Sequence, residues 1–144
     1  MNPHVLSTLR ILRGRWRAGV WFALAYIELL RVRRRYTQGG FRLRIPDLLR
    51  LPPHSVWNSD DVAIEIICAA VDRAVAWLPR APLCLARSIA TTRLLRRSGV
   101  PAIMVIGVRR LPAGGHAWVE VGGRIVNDEI EACSPYTPLV PSAT

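Results

Sequence analysis

The sequence predicts an α+β fold, in which helices come first and a small antiparallel sheet follows. Three segments before residue 100 carry apolar residues at helical spacing, and the segments after it are short apolar or alternating runs of strand length. This order of elements is typical of α+β domains. The length of 144 residues and the hydrophobic fraction of 51% suit one domain with a real core. They exclude a wholly disordered chain.

The first predicted helix runs from Leu6 to about Tyr36 and carries most of the positive charge. Its apolar residues lie three or four positions apart: Leu9, Leu12, Trp16, Val20, Ala23 and Ile27. All twenty basic residues of the chain are arginines, and residues 1–50 hold eleven of them against two acids, a net charge of +9. An acidic partner, a phosphate or a membrane surface would be attracted to this segment.

The sequence predicts a cytoplasmic protein with reduced thiols and no stable membrane insertion. The apolar run Ala18–Ala25 is short, whereas a spanning helix needs roughly 20 apolar residues, and the charges that follow it do not suit a secretory signal. The three cysteines are an odd number without C-x-x-C spacing, so no disulfide framework is expected.

Two further helices are predicted in the middle of the chain. The second begins at the capping cluster Asn58–Asp61, whose side chains satisfy unpaired N–H groups, and Pro79 ends it. The third begins at Pro82 or Leu83 and ends at Gly99, with two arginines in its last turn.

The strands are predicted in the last third of the chain, at residues 102–108, 116–121 and 124–128. Gly122-Gly123 predicts a hairpin between the last two. After Glu129 several Pro and Ser residues follow, and we expect the chain to lose regular structure there. The predicted organisation is an Arg-rich helical segment with a linker (1–54), a core domain (55–130) and a C-terminal tail (131–144).

Three residues have the chemistry and the order of a catalytic group. Cys84 lies at the start of the third helix, where unpaired N–H groups and the helix dipole stabilise a thiolate, although a lone cysteine is more often a small buried apolar residue. His116 opens a strand after two glycines, and Asp128 follows on the returning strand. Cysteine catalysis needs a nucleophile, a base and an acceptor that fixes the tautomer of the base.

The loop between the last two strands decides whether Asp128 faces His116. A two-residue turn at Gly122-Gly123 would point the two side chains to opposite faces, because side chains alternate along a strand. We therefore expect an odd loop, of three residues with a glycine bulge. If the loop is even and regular, Asn127 or Glu129 becomes the orienting group.

Three motifs of the chain resemble the transglutaminase-like cysteine peptidases of lasso-peptide biosynthesis, the leader peptidases of microcin-processing type. These motifs are Cys84-Leu-Ala-Arg-Ser88, Gly115-His-Ala-Trp-Val119 and Asn127-Asp128. The resemblance covers about residues 55–130. It implies a papain-like, transglutaminase-like fold, a catalytic triad of Cys84, His116 and Asp128, and removal of the leader from a ribosomally made precursor peptide.

The resemblance also implies partners for the chain. Some family members carry an N-terminal domain that binds the leader, and this chain has too few residues before Asn58 to include one. It therefore resembles the split form, which implies a separate leader-recognition protein and a lasso cyclase. The sequence has no P-loop, so no nucleotide cofactor is expected. No metal is expected either, because the three catalytic candidates would need a fourth ligand or an open position.

Two other functions stay open. A transglutaminase or acyltransferase would use the same residues and the same thioester, with an amine in place of water as the acceptor. A non-enzymatic RNA- or membrane-binding module would depend on the Arg-rich helix, but basic helices more often present a solvated face or dock a protein. We therefore expect no nucleic-acid partner.

The remaining candidates are assigned ordinary roles. Cys68 is expected in the core, and nothing near Cys133 in the sequence would activate its thiol. Trp118 shares the face of His116 by the period of two and is expected in the core or in a cleft wall. Arg87 and Ser88 follow the nucleophile by three and four residues, which suits either a cleft lining or a solvated helix surface.

Overall fold

The computed structural model describes residues 3–37, 46–50, 61–79 and 84–139, with side chains from residue 18 to residue 35 in the first range. Its long helices are α1 (Pro3–Thr37), α2 (Asp61–Ala76) and α3 (Cys84–Arg97). The elements after them are β1 (Ala102–Arg109), β2 (Gly114–Val121), β3 (Arg124–Ile125), the short helix α4 (Ile130–Cys133) and β4 (Thr137–Pro138). The predicted α+β class is confirmed.

The described strands form one antiparallel sheet in the order β3-β2-β1-β4. The central pair, β1 and β2, places Gly107 directly opposite His116. One face of the sheet packs on the helices in a core to which all three long helices contribute; its members include Leu29, Ile67, Val71, Leu94, Leu95 and Val119. The other face carries a smaller cluster of Val105, Trp118 and Cys133. The sheet therefore has two buried faces with different neighbours.

The second half of α1 packs on the core through a face other than the predicted apolar stripe. Ala25, Leu29 and Val32 are fully buried, whereas Val20 and Ile27 of the stripe are 41% and 44% exposed. The helix is apolar on more than one side, so its periodicity alone did not identify the buried side.

The division of the chain at residue 54 stays a prediction. No helix within the described ranges is long and apolar enough to cross a membrane.

A buried carboxylate ties α1 to α3. Glu28 is 2% exposed, and its Oε1 accepts a hydrogen bond of 2.7 Å from Nη1 of Arg93. Arg31 and Arg97 approach its other oxygen at 3.6 and 3.9 Å. Because an unpaired buried carboxylate is costly, these guanidinium groups are what allow Glu28 to lie inside the fold.

The end of α3 is the predicted glycine stop. Gly99 adopts a φ of +85°. Its N–H group donates to the carbonyl of Arg96, and the N–H group of Val100 donates to the carbonyl of Leu95, both at 3.0 Å. This pair of bonds is a Schellman motif, in which a left-handed residue satisfies the last carbonyls of a helix. It turns the chain directly into β1.

The hairpin between β2 and β3 has an even, two-residue loop, so the expected three-residue loop is wrong. Val121 pairs with Arg124 across it. Gly122 and Gly123 have φ values of +56° and +77°, as a type I′ turn requires at both central positions. The two glycines satisfy this requirement without strain, so no bulge is needed to close the hairpin.

The expectation that the chain loses regular structure after Glu129 is wrong for residues 130–139. They form α4 and then β4, in which Pro138 pairs with Gly107 of β1. The N–H group of Leu139 donates to the carbonyl of Ile106 at 2.8 Å. The edge of β1 that β2 leaves open is thereby covered by a short strand.

Candidate active site

His116 and Asp128 form a direct side-chain pair at the start of β2. Nε2 of the imidazole lies 2.9 Å from Oδ2 of the carboxylate, and the two side chains are only 18% and 16% exposed. The other oxygen, Oδ1, accepts the backbone N–H of Glu129 at 2.9 Å. With both oxygens engaged, the carboxylate has a fixed orientation toward the ring.

Asp128 reaches His116 although the hairpin loop is even, because the strand pairing ends before Asp128. The N–H group of Val126 still donates to the carbonyl of Val119 at 3.0 Å. The N–H group of Val119 does not continue the ladder: it donates to Oδ1 of Asn127 at 2.7 Å. The chain bends at residues 127 and 128. The alternation rule therefore does not extend to Asp128, and neither Asn127 nor Glu129 replaces it beside the imidazole.

Cys84 is the first residue of α3 and is partly buried. One turn later, the hydroxyl of Ser88 donates to the carbonyl of Ala117 at 2.8 Å. Ala117 directly follows His116, so this bond fixes the first turns of α3 against the part of β2 that carries the imidazole. Among the hydrogen bonds of the described residues, none joins the Cys84 thiol to His116.

Asn127 and Ser88 form a buried polar connection between α3 and the hairpin. The Nδ2 group of Asn127 donates to the Ser88 hydroxyl at 3.2 Å, and both residues are at least 95% buried. Buried polar groups are costly unless paired, and every atom of this connection has a partner. The sequence predicted either a cleft lining or a solvated helix surface for Ser88, whereas the structure places this residue in the interior.

Arg87 lies between two carboxylates. Its Nη2 and Nε groups contact Oδ1 of Asp72 on α2 at 2.7 and 2.9 Å, and its Nη1 lies 3.8 Å from Oδ2 of Asp128. Because Arg87 follows Cys84 by three residues, it brings a positive charge of α3 close to the carboxylate that orients His116.

Two aromatic rings enclose the imidazole. The centroids of Trp118 and Tyr136 lie 6.1 and 5.2 Å from that of His116. Trp118 is 3% exposed, and its Nε1 group donates to Glu120 at 2.8 Å. Trp118 is thus part of the core beside the histidine, as predicted. Tyr136 was not anticipated, because no local pattern in the sequence indicates that the C-terminal segment returns to the sheet.

Cys133 lies close to the histidine–aspartate pair. One ligand atom from each of His116, Asp128 and Cys133 can be chosen so that all three lie within 4.8 Å of one another. Cys133 is 3% exposed. Burial, with the carboxylates of Asp128 and Glu120, raises the pKa of its thiol to about 11. A thiol in that state is a poor nucleophile near neutral pH, since the thiolate is the reactive form.

Cys68 lies in the core, as predicted. Burial and the neighbouring Asp72 raise the pKa of its thiol to about 12. All three cysteines are free, and Cys84 is the one that is not fully buried. Exposure and position on a helix start therefore favour Cys84 as the nucleophile of this site.

A sequence profile described as the transglutaminase-like superfamily matches residues 26–141. The chain belongs to the transglutaminase-like superfamily. The match includes the last third of α1 together with α2, α3 and the described strands. It therefore contains every residue of the candidate site.

One curated protein similar to this chain is the microcin J25-processing protein McjB of Escherichia coli. It is 49% identical to the chain over 45 residues, which are 31% of this chain and 22% of the relative. The similarity to a microcin-processing protein that the motifs indicated is thus confirmed over this stretch, which is less than a third of either protein. No solved structure matches this chain.

Proposed function

We propose that the protein is a cysteine peptidase that removes the leader from a ribosomally made lasso-peptide precursor. The observation that carries this proposal is the 2.9 Å pair of His116 and Asp128, on a strand fixed to the helix that begins at Cys84. Membership of the transglutaminase-like superfamily supports thiol chemistry. The partial similarity to a microcin-processing protein supports the choice of a peptide precursor as the substrate.

The orientation of the imidazole allows it to act as a base through its Nδ1 atom. Asp128 occupies Nε2, so the proton shared between them lies on that nitrogen, and Nδ1 keeps a free lone pair. We assign Nδ1 the task of accepting the proton of the Cys84 thiol. The resulting imidazolium is stabilised by the Asp128 carboxylate, as in other catalytic triads.

The reaction then proceeds in two balanced steps. The Cys84 sulfur bonds to the last leader carbonyl carbon; the peptide C–N bond breaks, and the imidazolium passes its proton to the departing amine. A water molecule next loses a proton to His116 and attacks the thioester. The C–S bond breaks, the sulfur regains a proton, and the leader leaves with a new carboxylate.

The tetrahedral intermediate needs hydrogen-bond donors for its oxyanion. Cys84 opens α3, and the first N–H groups of a helix have no partner within the helix. We therefore assign the backbone N–H of Cys84 as the first donor. Removal of one such donor typically lowers kcat by about 10²–10³-fold.

The partners and the compartment belong to the same proposal. The protein would act on the leader region of the precursor, together with a separate leader-recognition protein and a lasso cyclase. Three free cysteines suit the reducing cytoplasm.

Acyl transfer is the second candidate function, because the superfamily is described by its likeness to transglutaminases. The thioester is the same, and only the acceptor differs. Mass analysis of the products separates the two functions: hydrolysis adds one water to the cleaved peptides, whereas transfer joins the leader to an amine.

The proposal is tested by measuring removal of the leader from a lasso-peptide precursor, with a leader-recognition protein present; both are to be sought in the open reading frames beside the gene. We expect Cys84→Ala and His116→Ala to abolish cleavage. The matched control is Cys68→Ala, a cysteine of the core that is outside the site. Cleavage by the Cys84→Ala variant at the rate of the unaltered protein would show that the proposal is wrong.

A further inference from the structure

Cys133 gives the histidine–aspartate pair a third metal-ligating neighbour that the peptidase mechanism does not use. An imidazole nitrogen, a carboxylate oxygen and a sulfur come within 4.8 Å of one another at His116, Asp128 and Cys133. The three residues come from β2, from the bend after β3 and from α4. The fold brings these residues together from separate elements. Their closeness therefore does not follow from neighbouring positions on one helix or strand.

We propose that His116, Asp128 and Cys133 form a binding site for zinc or a similar borderline divalent cation. Imidazole, carboxylate and thiolate are the three ligand types that zinc takes from proteins, and three of them with one open position is a common zinc arrangement. The mixed N, O and S set favours zinc over calcium or magnesium, which prefer oxygen ligands alone.

The donor atoms need only a small adjustment to hold the ion. Donors of a tetrahedral zinc site lie roughly 3.3–3.6 Å apart, given bonds of about 2.0–2.3 Å. The distance of 2.9 Å between Nε2 of His116 and Oδ2 of Asp128 must open slightly when the ion replaces the shared proton, and the sulfur must approach from within 4.8 Å. Cys133 is the last residue of the four-residue helix α4, and its side chain packs beside Val105 and Trp118, so binding of the ion requires a small shift of that helix end.

The charges around the group favour a cation on balance. The carboxylates of Asp128 and Glu120 both act on the Cys133 thiol, and a bound ion would offset their repulsion of the thiolate. Arg87 is the opposing charge, at 3.8 Å from Asp128. Its stronger contact, however, is the 2.7 Å ion pair with Asp72, which already compensates much of its charge.

The surroundings also suit a metal. Oδ1 of Asp128 is held by the N–H group of Glu129, so the carboxylate has the kind of outer hydrogen bond that orients metal ligands. Trp118 and Tyr136 lie beside the imidazole, so part of its surroundings is apolar.

The site has a consequence that depends on the proposed function. A bound ion would occupy the imidazole that the peptidase needs as its base, so the metal-bound form would be inactive. Zinc would then inhibit cleavage reversibly, and a chelator would restore it.

The binding itself is tested without any activity measurement, on the full-length Cys84→Ala variant with cobalt alone as the probe. This background removes the partly exposed thiol of Cys84, so that Cys84 cannot provide the sulfur ligand. We expect one equivalent of cobalt, a thiolate-to-cobalt charge-transfer band in the near ultraviolet and the intense visible bands of a tetrahedral ion. Zinc alone should displace the cobalt and remove the bands.

Two further variants identify the ligands. Adding Cys133→Ser should abolish the charge-transfer band and weaken cobalt binding at least about tenfold, whereas adding Cys68→Ser should change neither. If the Cys133→Ser protein does not fold, as judged by its circular dichroism, His116→Ala in the same background should give the same loss of binding. Arg87→Gln should strengthen binding, because it removes a positive charge that lies 3.8 Å from Asp128.

The outcomes separate this proposal from the proposed function. Absence of a charge-transfer band in the Cys84→Ala protein, or its persistence after removal of Cys133, would overturn the metal site. Cobalt binding as expected in the Cys84→Ala protein, together with no cleavage of the precursor by the metal-free unaltered protein, would support the site and contradict the peptidase.

Discussion

The hydroxyl of Ser88 donates a 2.8 Å hydrogen bond to the carbonyl of Ala117, and this bond joins the helix of the candidate nucleophile to the strand of the candidate base. Cys84 lies one turn before Ser88, and His116 directly precedes Ala117. The spacing between the two chemical groups therefore depends on a contact made by their neighbours, deep in the interior.

Replacement of Ser88 by alanine should destabilise the protein and slow cleavage together. The change leaves the Ala117 carbonyl without this partner and removes the acceptor of Asn127, at a cost of about 1–3 kcal/mol in the free energy of unfolding. Urea unfolding measures the loss. The matched control is Ser134→Ala, whose hydroxyl makes an exposed bond and should contribute less than about 0.5 kcal/mol. Equal effects of the two changes would contradict the role given to Ser88.

Replacement of Asp128 by asparagine should reduce kcat by roughly 10²–10⁴-fold with little change in stability. The amide has the shape of the carboxylate but can present a donor to Nε2, which favours the wrong tautomer of His116. Its neutral charge also no longer stabilises the imidazolium. Precursor cleavage across a range of pH measures the effect, and the pH profile should change its shape as well as its height.

The control for that experiment is Glu129→Gln, which changes the next carboxylate along the chain. Glu129 is exposed, and its side chain does not reach the imidazole in the described hydrogen bonds. Its cleavage rate should stay within about twofold of the unaltered protein, since surface substitutions have small effects. A loss as large as that of Asp128→Asn would assign the orienting role to Glu129.

Thiol labelling of the folded protein should modify Cys84 and spare the other two cysteines. The pKa values of Cys133 and Cys68 are raised to about 11 and about 12, so both remain protonated, and both are buried. Iodoacetamide at pH 8, followed by peptide mass analysis, should find one modified residue in the folded protein and three after denaturation. Rapid modification of Cys133 would contradict its placement.

The same two pKa values predict a loss of stability in alkali. A cysteine with a raised folded-state pKa contributes stability fully below its unfolded value of 9.0. That contribution is lost as the pH rises toward about 11 and 12, because the unfolded chain releases its thiol protons first. The free energy of unfolding should therefore fall between pH 9 and pH 11, and it should fall less in a Cys133→Ala variant.

Replacement of Gly107 by alanine should disturb the rings around the imidazole. A methyl group there would lie 2.8 Å from the side chains of Trp118 and Tyr136, and such overpacking typically costs about 1–3 kcal/mol. Gly115→Ala is the matched control, because its methyl group would meet only a backbone oxygen at an ordinary 3.8 Å. Thermal unfolding of both variants compares them, and equal melting temperatures would show that the rings can move aside.

The sequence predicted the elements that depend on local signals. Gly99 marked the end of α3, and the apolar run from Ala102 predicted β1, because a left-handed cap and a buried strand both leave local patterns. The pairing of His116 with Asp128 was also expected, from the order of residue types and the family resemblance. The expected three-residue loop that would bring Asp128 to His116 was wrong. Strand alternation does not predict that the side chain of Asn127 ends the ladder by accepting the N–H of Val119.

Long-range contacts account for what the sequence did not predict. The buried side of α1 depends on which neighbours cover it, and Ala25 and Val20 are equally plausible from periodicity alone. The position of Cys133 beside His116 depends on the pairing of Pro138 with Gly107, between residues about thirty positions apart. No local pattern in a segment rich in proline and serine announces such a pairing.

The last strand gives the C-terminal segment a protective role. Tyr136 covers the histidine ring, and Cys133 fills the space beside Trp118, so a protein shortened after Glu129 would expose an indole and an imidazole to solvent. Such a truncated form should aggregate and should lose its activity even though Cys84, His116 and Asp128 are all retained. Any minimal version of this protein must therefore extend at least to Leu139, whose backbone N–H bonds the segment to Ile106.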